Sequence, residues 1–250
     1  LQKTSKVSDA KKIGFPILVK ASAGGGGKGM RIVKTERELK DAVIAAKREA
    51  KSSFDDDRVF LEKYIEHSRH IEVQILGDNF GNVIHLGERE CSIQRRHQKI
   101  IEESPSSRLT NKIREDITSA AVKLGKKLDY KSAGTVEFLF DEDTNEFWFL
   151  EVNTRLQVEH PVTEEVTGID LVKEQIKIAS GKKLDFLQED IEFNGHAIEA
   201  RLYAENPEND FLPEIGSIDK LSCSNNKGIR WDTGIATGDK ITPDYDPMLA

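Results

Sequence analysis

The sequence predicts an α+β fold, because helix and strand patterns are interleaved along the chain without the regular spacing of βαβ units. Two apolar runs flank a glycine loop near the start, three amphipathic stretches have helical spacing, and alternating stretches around turn residues indicate hairpins. A chain of 250 residues that is 37% hydrophobic and 32% charged can bury a core in one large or two smaller domains.

The first element is a glycine-rich loop in the stretch ASAGGGGKGMRIV. A P-loop needs Ser or Thr after its lysine, but Gly29 follows Lys28, and a dinucleotide fingerprint must open a helix, whereas MRIV has a strand pattern. We therefore predict a hairpin with strands over residues 15–20 and 30–34, whose loop amides and Lys28 cover an anionic ligand. A long flexible loop without a ligand is the alternative.

The later segments continue the interleaving of helices and strands. Thr35 and Glu38 form a capping-box pattern at the start of an amphipathic helix, with Leu39, Val43 and Ala46 on one face. Next come a strand over residues 57–64, a hairpin over 70–88, a helix over 111–128 and a hairpin over 134–155. A further helix runs from Asp170 to Ala179 and is closed by Gly181. A strand over 195–203 follows, and the tail contains short strands between turns.

Composition argues against several classes of partner. With a net charge of -7, the chain has no basic footprint for nucleic acid or for a membrane surface, so we predict neither as a partner. Cys91 and Cys223 cannot form a disulfide framework and lie in no metal-spaced cluster, which favours a reducing compartment. The sequence begins without Met and stops after DPMLA, so we expect a piece of a longer protein.

Two glutamates in the second hairpin indicate a cation site. Glu137 and Glu151 each lie seven residues from Thr144, in the loop at Asp143 and Thr144, so the two carboxylates are expected to lie opposite each other. Like charges in that position are destabilising unless a cation lies between them, and hard oxygen ligands suit Mg²⁺ or Mn²⁺. The alternative is a pair of solvated glutamates on an exposed strand face.

The stretch EVNTRLQVE continues this hairpin with polar residues at every second position. If the backbone stays extended, one face carries Glu151, Asn153, Arg155, Gln157 and Glu159. Extension is expected to fail by Pro161, which disfavours regular helix at His160 and ends the segment, so that the later residues curl around a pocket. A solvated amphipathic edge strand is the alternative.

Six stretches together resemble one enzyme family. They are KASAGGGGKGMRIV, EKYIEHSRHIEVQILGD, ERECSIQRRHQKIIEESP, GTVEFLF, EVNTRLQVEHPVTE and EARLYAENP. With them the chain resembles the biotin carboxylase component of biotin-dependent carboxylases, an ATP-grasp enzyme, and in particular the alpha subunit of an acyl-CoA carboxylase.

The resemblance implies an ATP-grasp fold with a small glycine-rich lid and a larger mixed β-sheet domain. The lid covers residues 1–62, the catalytic core covers 63–180, and residues 181–250 start an incomplete C-terminal region. The resemblance also implies that the N-terminal domain of the family and the end of the last domain are absent from this fragment.

The resemblance further implies a reaction in which ATP and bicarbonate give carboxyphosphate and ADP, after which the carboxyl group passes to N1 of biotin. It implies a site for Mg²⁺ or Mn²⁺ at Glu137, Glu151 and Asn153. Nucleotide contacts are implied at Lys20, Gly25, Gly26, Gly27, Lys28, Gly29, Met30, Glu62, Lys63, Ile65, His70, Gln94 and His97.

For the chemical steps, the resemblance implies that Lys99 helps to hold ATP and bicarbonate. It also implies that Arg155, Gln157 and the backbone of Val158 hold bicarbonate. By the same resemblance, Glu159 is expected to take a proton as general base, and Arg201 to stabilise the biotin enolate.

The implied partners are a biotin carboxyl carrier domain and a carboxyltransferase subunit or domain, in a parent protein that forms a homo-oligomer. We expect a cytoplasmic location, with the mitochondrial matrix as the alternative. Two other functions stay open: an ATP-grasp amide or carbamoyl ligase, and a non-catalytic nucleotide-binding module.

Overall fold

A computed structural model describes residues 3–4, 6–23 and 29–250, so the predicted loop glycines at 24–27 and Lys28 lie outside the described residues. The chain divides into two compact units, residues 1–199 and residues 200–250. Helices and antiparallel hairpins are interleaved, which confirms the α+β class. The predicted divisions at residues 62 and 180 stay predictions.

The first sheet has four antiparallel strands in the order β1-β4-β2-β3 and carries one long helix. Ile17, Val19 and Leu61 of the sheet pack with Leu39 and Val43 of that helix in one buried cluster. The elements are β1 Lys3–Thr4, α1 Ala10–Ile13, β2 Ile17–Ala21, β3 Arg31–Val33, α2 Glu36–Phe54 and β4 Val59–Lys63, with a 3₁₀ turn at Val7–Asp9.

The start of α2 corrects the predicted capping box. Thr35 is the N-cap residue, but its side chain makes no capping hydrogen bond. Glu38 instead accepts a hydrogen bond from the backbone N–H of Lys34, 3.1 Å away and one residue before the cap. The helix forms where predicted because its buried face, rather than the reciprocal cap, supplies most of the stabilisation.

The second sheet has six strands in the order β10-β7-β6-β5-β8-β9, and the pairings from β5 to β9 are antiparallel. The strands are β5 Ser68–Gly77, β6 Val83–Arg95, β7 Gln98–Ser104, β8 Ser132–Asp141, β9 Glu146–Asn153 and β10 Ala197–Ala200. The helices of this part are α3 Asn111–Lys127, α4 His160–Thr167 and α5 Leu171–Ala179, with a 3₁₀ turn at Gln188–Asp190.

Alternation along β5 separates the two faces of this sheet. Ile71, Val73 and Ile75 join the buried cluster that contains Ile117 of α3, whereas Leu76 packs in a separate cluster with residues of α5. Glu72 and Gln74 are fully buried at the intervening positions, on the face opposite α3. That face carries the polar site described below.

Asp78 stabilises the turn between β5 and β6 through hydrogen bonds. Its carboxylate is buried and accepts hydrogen bonds from Phe80 N, from Asn82 N and Nδ2, and from Leu184 N at 2.6–3.1 Å. Burial alone raises the pKa of Asp78, but these hydrogen bonds lower it below its ordinary value of 3.8. The carboxylate therefore stabilises the fold above the ordinary pKa, and that contribution is lost as the pH falls through the folded-state pKa.

Asp78→Asn is expected to lower the free energy of unfolding by about 1–3 kcal/mol at pH 7, because the new amide points a donor at other donors. Urea titration measures this loss, and the difference from wild type should shrink as the pH falls below about 4. Asp116→Asn, in an exposed pair with Lys112, is the control and should change little. A pH-independent difference would contradict the assigned cause.

The second unit consists of short strands between turns, as predicted. β11 Glu205–Asn206 pairs with β12 Leu212–Pro213, and β13 Gly216–Ser217 pairs with β14 Lys240–Ile241. A 3₁₀ turn at Pro207–Asn209 follows β11. Among the helices formed by the described residues, none has both the length and the apolar composition needed to cross a bilayer.

Candidate active site

Glu137 of β8 and Glu151 of β9 are direct register partners, which confirms the predicted pairing. The hairpin pairs Phe138 with Phe149, and a bulge then shifts the register by one residue so that Leu150 faces no partner. Without the bulge, Glu137 would pair with Leu150 instead. Counting seven residues in each direction from Thr144 gives the right pair. The strand pairs nearer the turn, however, centre the hairpin between Asp143 and Thr144, so the pairing of Glu137 with Glu151 depends on a bulge that the count does not show.

The Glu137 carboxylate is buried among donors and cations. Oε1 accepts hydrogen bonds from Lys99 Nζ at 2.9 Å and Asn153 Nδ2 at 2.7 Å. His70 Nε2 lies 2.9 Å from Oε2 without hydrogen-bond geometry. Burial alone raises the pKa of Glu137, but His70 and Lys99 lower it to about 2, so it is ionised at neutral pH. Glu151 opposite is exposed.

Lys99 of β7 lies at the centre of the site. Its Nζ is 2.5 Å from Glu72 Oε2, 2.9 Å from Glu137 Oε1 and 2.6 Å from Glu159 Oε1. Burial alone lowers the pKa of Lys99, but the charges around it, Glu72 first among the carboxylates, raise it above its ordinary value. The ammonium ion therefore remains charged and holds three carboxylates together.

Sequence reasoning missed Glu72 and Arg89, which form the floor of this site. Both side chains are fully buried, and Arg89 Nε donates to Glu72 Oε1 at 2.5 Å. Burial raises the pKa of Glu72, and Arg89 and Lys99 lower it below its ordinary value. No local signal marks them, since Glu72 and Gln74 are the polar members of the alternation in HIEVQIL, a pattern that is equally typical of a strand with one solvated face.

Beyond β9 the structure corrects the extended interpretation of EVNTRLQVE. The strand ends at Asn153, so the residues from Arg155 onward do not alternate on one face. Pro161 does not exclude helix at His160; it occupies the first turn of α4, where its missing N–H would have no helical partner in any case. The chain thus turns from a strand into a helix, and Glu159 is the N-cap residue of that helix.

After this turn, the residues predicted to hold bicarbonate differ in their exposure to solvent. Arg155 is exposed and Val158 is 37% exposed, whereas Gln157 and Glu159 are buried. The Nε2 atom of Gln157 is buried and has no hydrogen-bond partner among the described residues. Arg155 Nη1 donates to the neighbouring Leu156 carbonyl, at 3.2 Å. Glu159 is the member of this group that contacts Lys99.

Of the predicted nucleotide residues on β5 to β7 and the turn between β6 and β7, His70 and Gln94 lie close together, whereas His97 lies in the turn. Gln94 Nε2 and His70 Nδ1 are 3.0 Å apart, and Gln94 is the register partner of Lys99. His97 is exposed in the turn between β6 and β7, where it and Arg96 have positive φ angles. His70 and Gln94 thus border the carboxylate cluster, and His97 lies at the tip of its hairpin.

The remaining predicted nucleotide residues belong to the first sheet and its edge. Lys20 Nζ lies 3.3 Å from buried Glu62 Oε2, and Lys63 Nζ donates to the carbonyls of Gly14 and Phe15. Gly29 has a φ of +70° and donates its N–H to Glu49. Met30 and Ile65 are half-buried.

The other predicted site residues cannot be placed beside these. Gly25, Gly26, Gly27 and Lys28 lie outside the described residues. Arg201 belongs to the second compact unit, so its role stays a prediction.

The donor set at the hairpin fits Mg²⁺ or Mn²⁺. Asn153 donates its Nδ2 to Glu137, which leaves its Oδ1 as an acceptor, and the Glu151 carboxylate is exposed opposite. Carboxylate and amide oxygens are the ligands these hard cations prefer. Among the buried carboxylates the Lys99 ammonium already supplies the positive charge, so the exposed side of the hairpin is the better metal site.

Comparison with known families identifies the family and the fold. The ATP binding domain of the carbamoyl-phosphate synthase L chain matches residues 2–187, and the biotin carboxylase C-terminal domain matches residues 199–250. The larger part of the chain, residues 2–187, is thus an ATP-binding domain of the type found in the carbamoyl-phosphate synthase L chain. With both matches and the relatives below, the chain belongs to the biotin carboxylase family, and the predicted ATP-grasp fold is confirmed.

Individual relatives agree over nearly the whole chain. Biotin carboxylase 1 of Bacillus subtilis is 53% identical over 98% of this chain and 54% of its own length. The mitochondrial methylcrotonoyl-CoA carboxylase subunit alpha of Mus musculus is 52% identical over 96% of this chain and 34% of its own length. The chain therefore spans about half, or less, of the relatives' length.

A solved structure has the same architecture. The biotin carboxylase domain dimer of the Hydrogenobacter thermophilus 2-oxoglutarate carboxylase, in complex with MgADP, ADP and bicarbonate, has a TM-score of 0.91 and 51% identity. The match covers 97% of this chain and 53% of that chain.

Proposed function

We propose that this chain carries the ATP- and bicarbonate-dependent carboxylation of biotin through carboxyphosphate, the first half-reaction of a biotin-dependent acyl-CoA carboxylase. The observation that carries the proposal is the buried contact of Lys99 with Glu72, Glu137 and Glu159, beside an opposed pair of carboxylates. Such a site offers a fixed cation, a carboxylate base and a metal-binding edge in one place.

The proposed roles follow from the position of each group. Glu159, held by Lys99 at 2.6 Å, accepts a proton from bicarbonate, while Lys99 supplies positive charge to the reacting anions. Arg155 and Gln157 hold bicarbonate, and the buried Nε2 donor of Gln157 has no acceptor in the described part of the chain. Glu137, Glu151 and Asn153 hold Mg²⁺ or Mn²⁺, which would neutralise phosphate charge when bound.

The partners are proposed from the same family. They are a biotin carboxyl carrier domain and a carboxyltransferase, with a homo-oligomeric parent, and the dimer of the Hydrogenobacter relative supports the last point. We propose that the protein is located in the cytoplasm, as the bacterial relative suggests. The mitochondrial matrix is the alternative, which the mitochondrial relative suggests. We propose residues 1–62 as a lid over ATP, residues 63–180 as the catalytic core and residues 181–250 as the start of the C-terminal region. Arg201 is proposed to stabilise the biotin enolate.

The test of this function uses the full-length protein and measures ADP release. Bicarbonate-dependent ATP cleavage that free biotin stimulates, with carboxybiotin as product, is the expected result. Stimulation by an amine rather than biotin would indicate an amide or carbamoyl ligase. Tight ATP binding without turnover would indicate a non-catalytic nucleotide-binding module.

Glu151→Gln is expected to raise the Mg²⁺ concentration for half-maximal ATP cleavage by roughly 10–100-fold, because it removes a charged ligand from the exposed edge of the site. Glu146→Gln, on the same strand at the hairpin tip, is the matched control. An equal Mg²⁺ requirement in both variants would remove Glu151 from the metal site.

Arg155→Gln is expected to lower carboxybiotin formation by roughly 10²-fold, because a cation near the developing charge is lost. Labelled bicarbonate measures the product, and calorimetry measures ATP affinity, which should change little since Arg155 lies on the bicarbonate side. If ATP affinity alone collapses, Arg155 belongs to the nucleotide site instead.

A further inference from the structure

Arg89 joins three elements of the second sheet and its helices. Its side chain is fully buried, and Nε and Nη1 donate to Glu72 and Gln74 of β5 at 2.5 and 2.8 Å. Nη2 donates to Thr135 of β8 at 3.1 Å, and Nη1 also donates to Thr163 of α4 at 2.9 Å. All four acceptors are fully buried, so each bond is made in a low-dielectric interior.

The hydrogen bond to Thr163 connects Arg89, through helix α4, to Glu159, the residue that contacts Lys99. Thr163 lies four residues after Glu159, one helical turn along α4, so the two side chains point to the same side of the helix. Glu159 contacts Lys99, and Thr163 contacts Arg89. The two oxygens of Glu72 bind Arg89 and Lys99 separately.

These contacts form a closed ring of Arg89, Glu72, Lys99, Glu159 and Thr163. One side of the ring is the covalent turn of α4, and the others are hydrogen-bonded ion pairs or a hydrogen bond to a charged donor. A ring that closes through the backbone constrains distances more strongly than separate pairs do. Loss of the hydrogen bond between Arg89 and Thr163 would therefore shift the Glu159 carboxylate.

We propose that Arg89 is a positioning residue that fixes α4 against the sheet and thereby sets the position of the Glu159 carboxylate relative to Lys99. Arg89 would act through its hydrogen bonds to Glu72 and Thr163. The inference deepens the proposed function, on which its kinetic part rests. Its geometric part concerns only the Lys99–Glu159 contact.

The test compares two buried threonines that accept from the same guanidinium. Thr163→Val removes the link to α4, and Thr135→Val removes the link to β8, with the same chemical change at the same burial. In the full-length protein, Thr163→Val is expected to lower kcat for bicarbonate-dependent ATP cleavage by roughly tenfold with unchanged ATP affinity. Thr135→Val should keep most of the wild-type kcat.

Two further readouts keep the test decisive. A crystal structure of Thr163→Val should show the Lys99 Nζ–Glu159 Oε1 distance lengthened beyond hydrogen-bond range, whether or not the enzyme turns over. Arg89→Lys, which keeps the charge but loses the planar fork, should lower kcat by up to about 10²-fold, the effect expected of misplacement by about 1 Å.

Three outcomes are distinguishable. Equal losses of kcat in the two threonine variants, in step with equal losses of stability, would overturn the positioning role. An unchanged Lys99–Glu159 distance and an unchanged kcat in Thr163→Val would also overturn it. Absence of bicarbonate-dependent ATP cleavage in wild type would overturn the proposed function, while the crystallographic distance still decides the role of Arg89.

Discussion

Lys99→Met is expected to lower the free energy of unfolding by about 3–5 kcal/mol, because it removes the cation shared by three buried carboxylates. Methionine fills a similar volume, so the loss measures charge rather than packing. Glu72 keeps Arg89 as a counter-ion, but Glu159 and Glu137 lose their contact with the ammonium. Urea or thermal unfolding near neutral pH measures the effect.

Lys112→Met is the matched control for this prediction. Lys112 has an ion pair of similar length with Asp116, 2.7 Å, but its side chain is 82% exposed, whereas that of Lys99 is 13% exposed. Solvent screens the exposed pair, so the control should leave stability almost unchanged. Equal effects in the two variants would mean that the carboxylate cluster does not depend on Lys99.

Local patterns predicted most of the fold. Apolar spacing and turn residues predict the helix over residues 111–128 and the hairpin over 70–88, and both are present with small shifts of their ends. These elements are fixed by which face is buried, and burial periodicity is visible in the sequence itself. The capping pattern at Thr35 was less informative, since a cap contributes less than the buried face of a long helix.

The site was only partly predictable, because its contacts join distant parts of the chain. Lys99 is 60 residues from Glu159 and 27 from Glu72, and no spacing rule indicates those distances. The opposed pair Glu137 and Glu151 could be found because a single hairpin sets its register.

The turn after Asn153 was predicted wrongly for a different reason. The alternation of polar and apolar residues in EVNTRLQVE, broken only by Thr154, is typical of a strand, yet this stretch leads directly into α4 and ends at its N-cap residue, Glu159. Pro161 is consistent with the end of an extended segment, but a proline in the first turn is equally consistent with a helix start. What decides between them is the burial of Glu159 and Thr163 against the sheet, which only the tertiary structure shows.

Glu159→Gln is expected to lower bicarbonate-dependent ATP cleavage by about 10²–10⁴-fold, the usual contribution of a general base. Glutamine has nearly the same shape, and its carbonyl oxygen can still accept the hydrogen bond from Lys99, so the fold and ATP binding should survive. It cannot take a proton from bicarbonate. Steady-state ADP release measures the rate, and equilibrium binding of ATP confirms that the nucleotide site is intact.

Glu165→Gln gives this prediction a control on the same helix, since Glu165 is exposed on α4 and stands outside the Lys99 cluster. The same chemical change there should leave the rate near that of wild type. The pair of variants separates a proton acceptor from a general effect of charge on α4, because both lose one negative charge. A rate for Glu159→Gln equal to that of Glu165→Gln would remove Glu159 as the base, and the buried contact with Lys99 would then have to be structural.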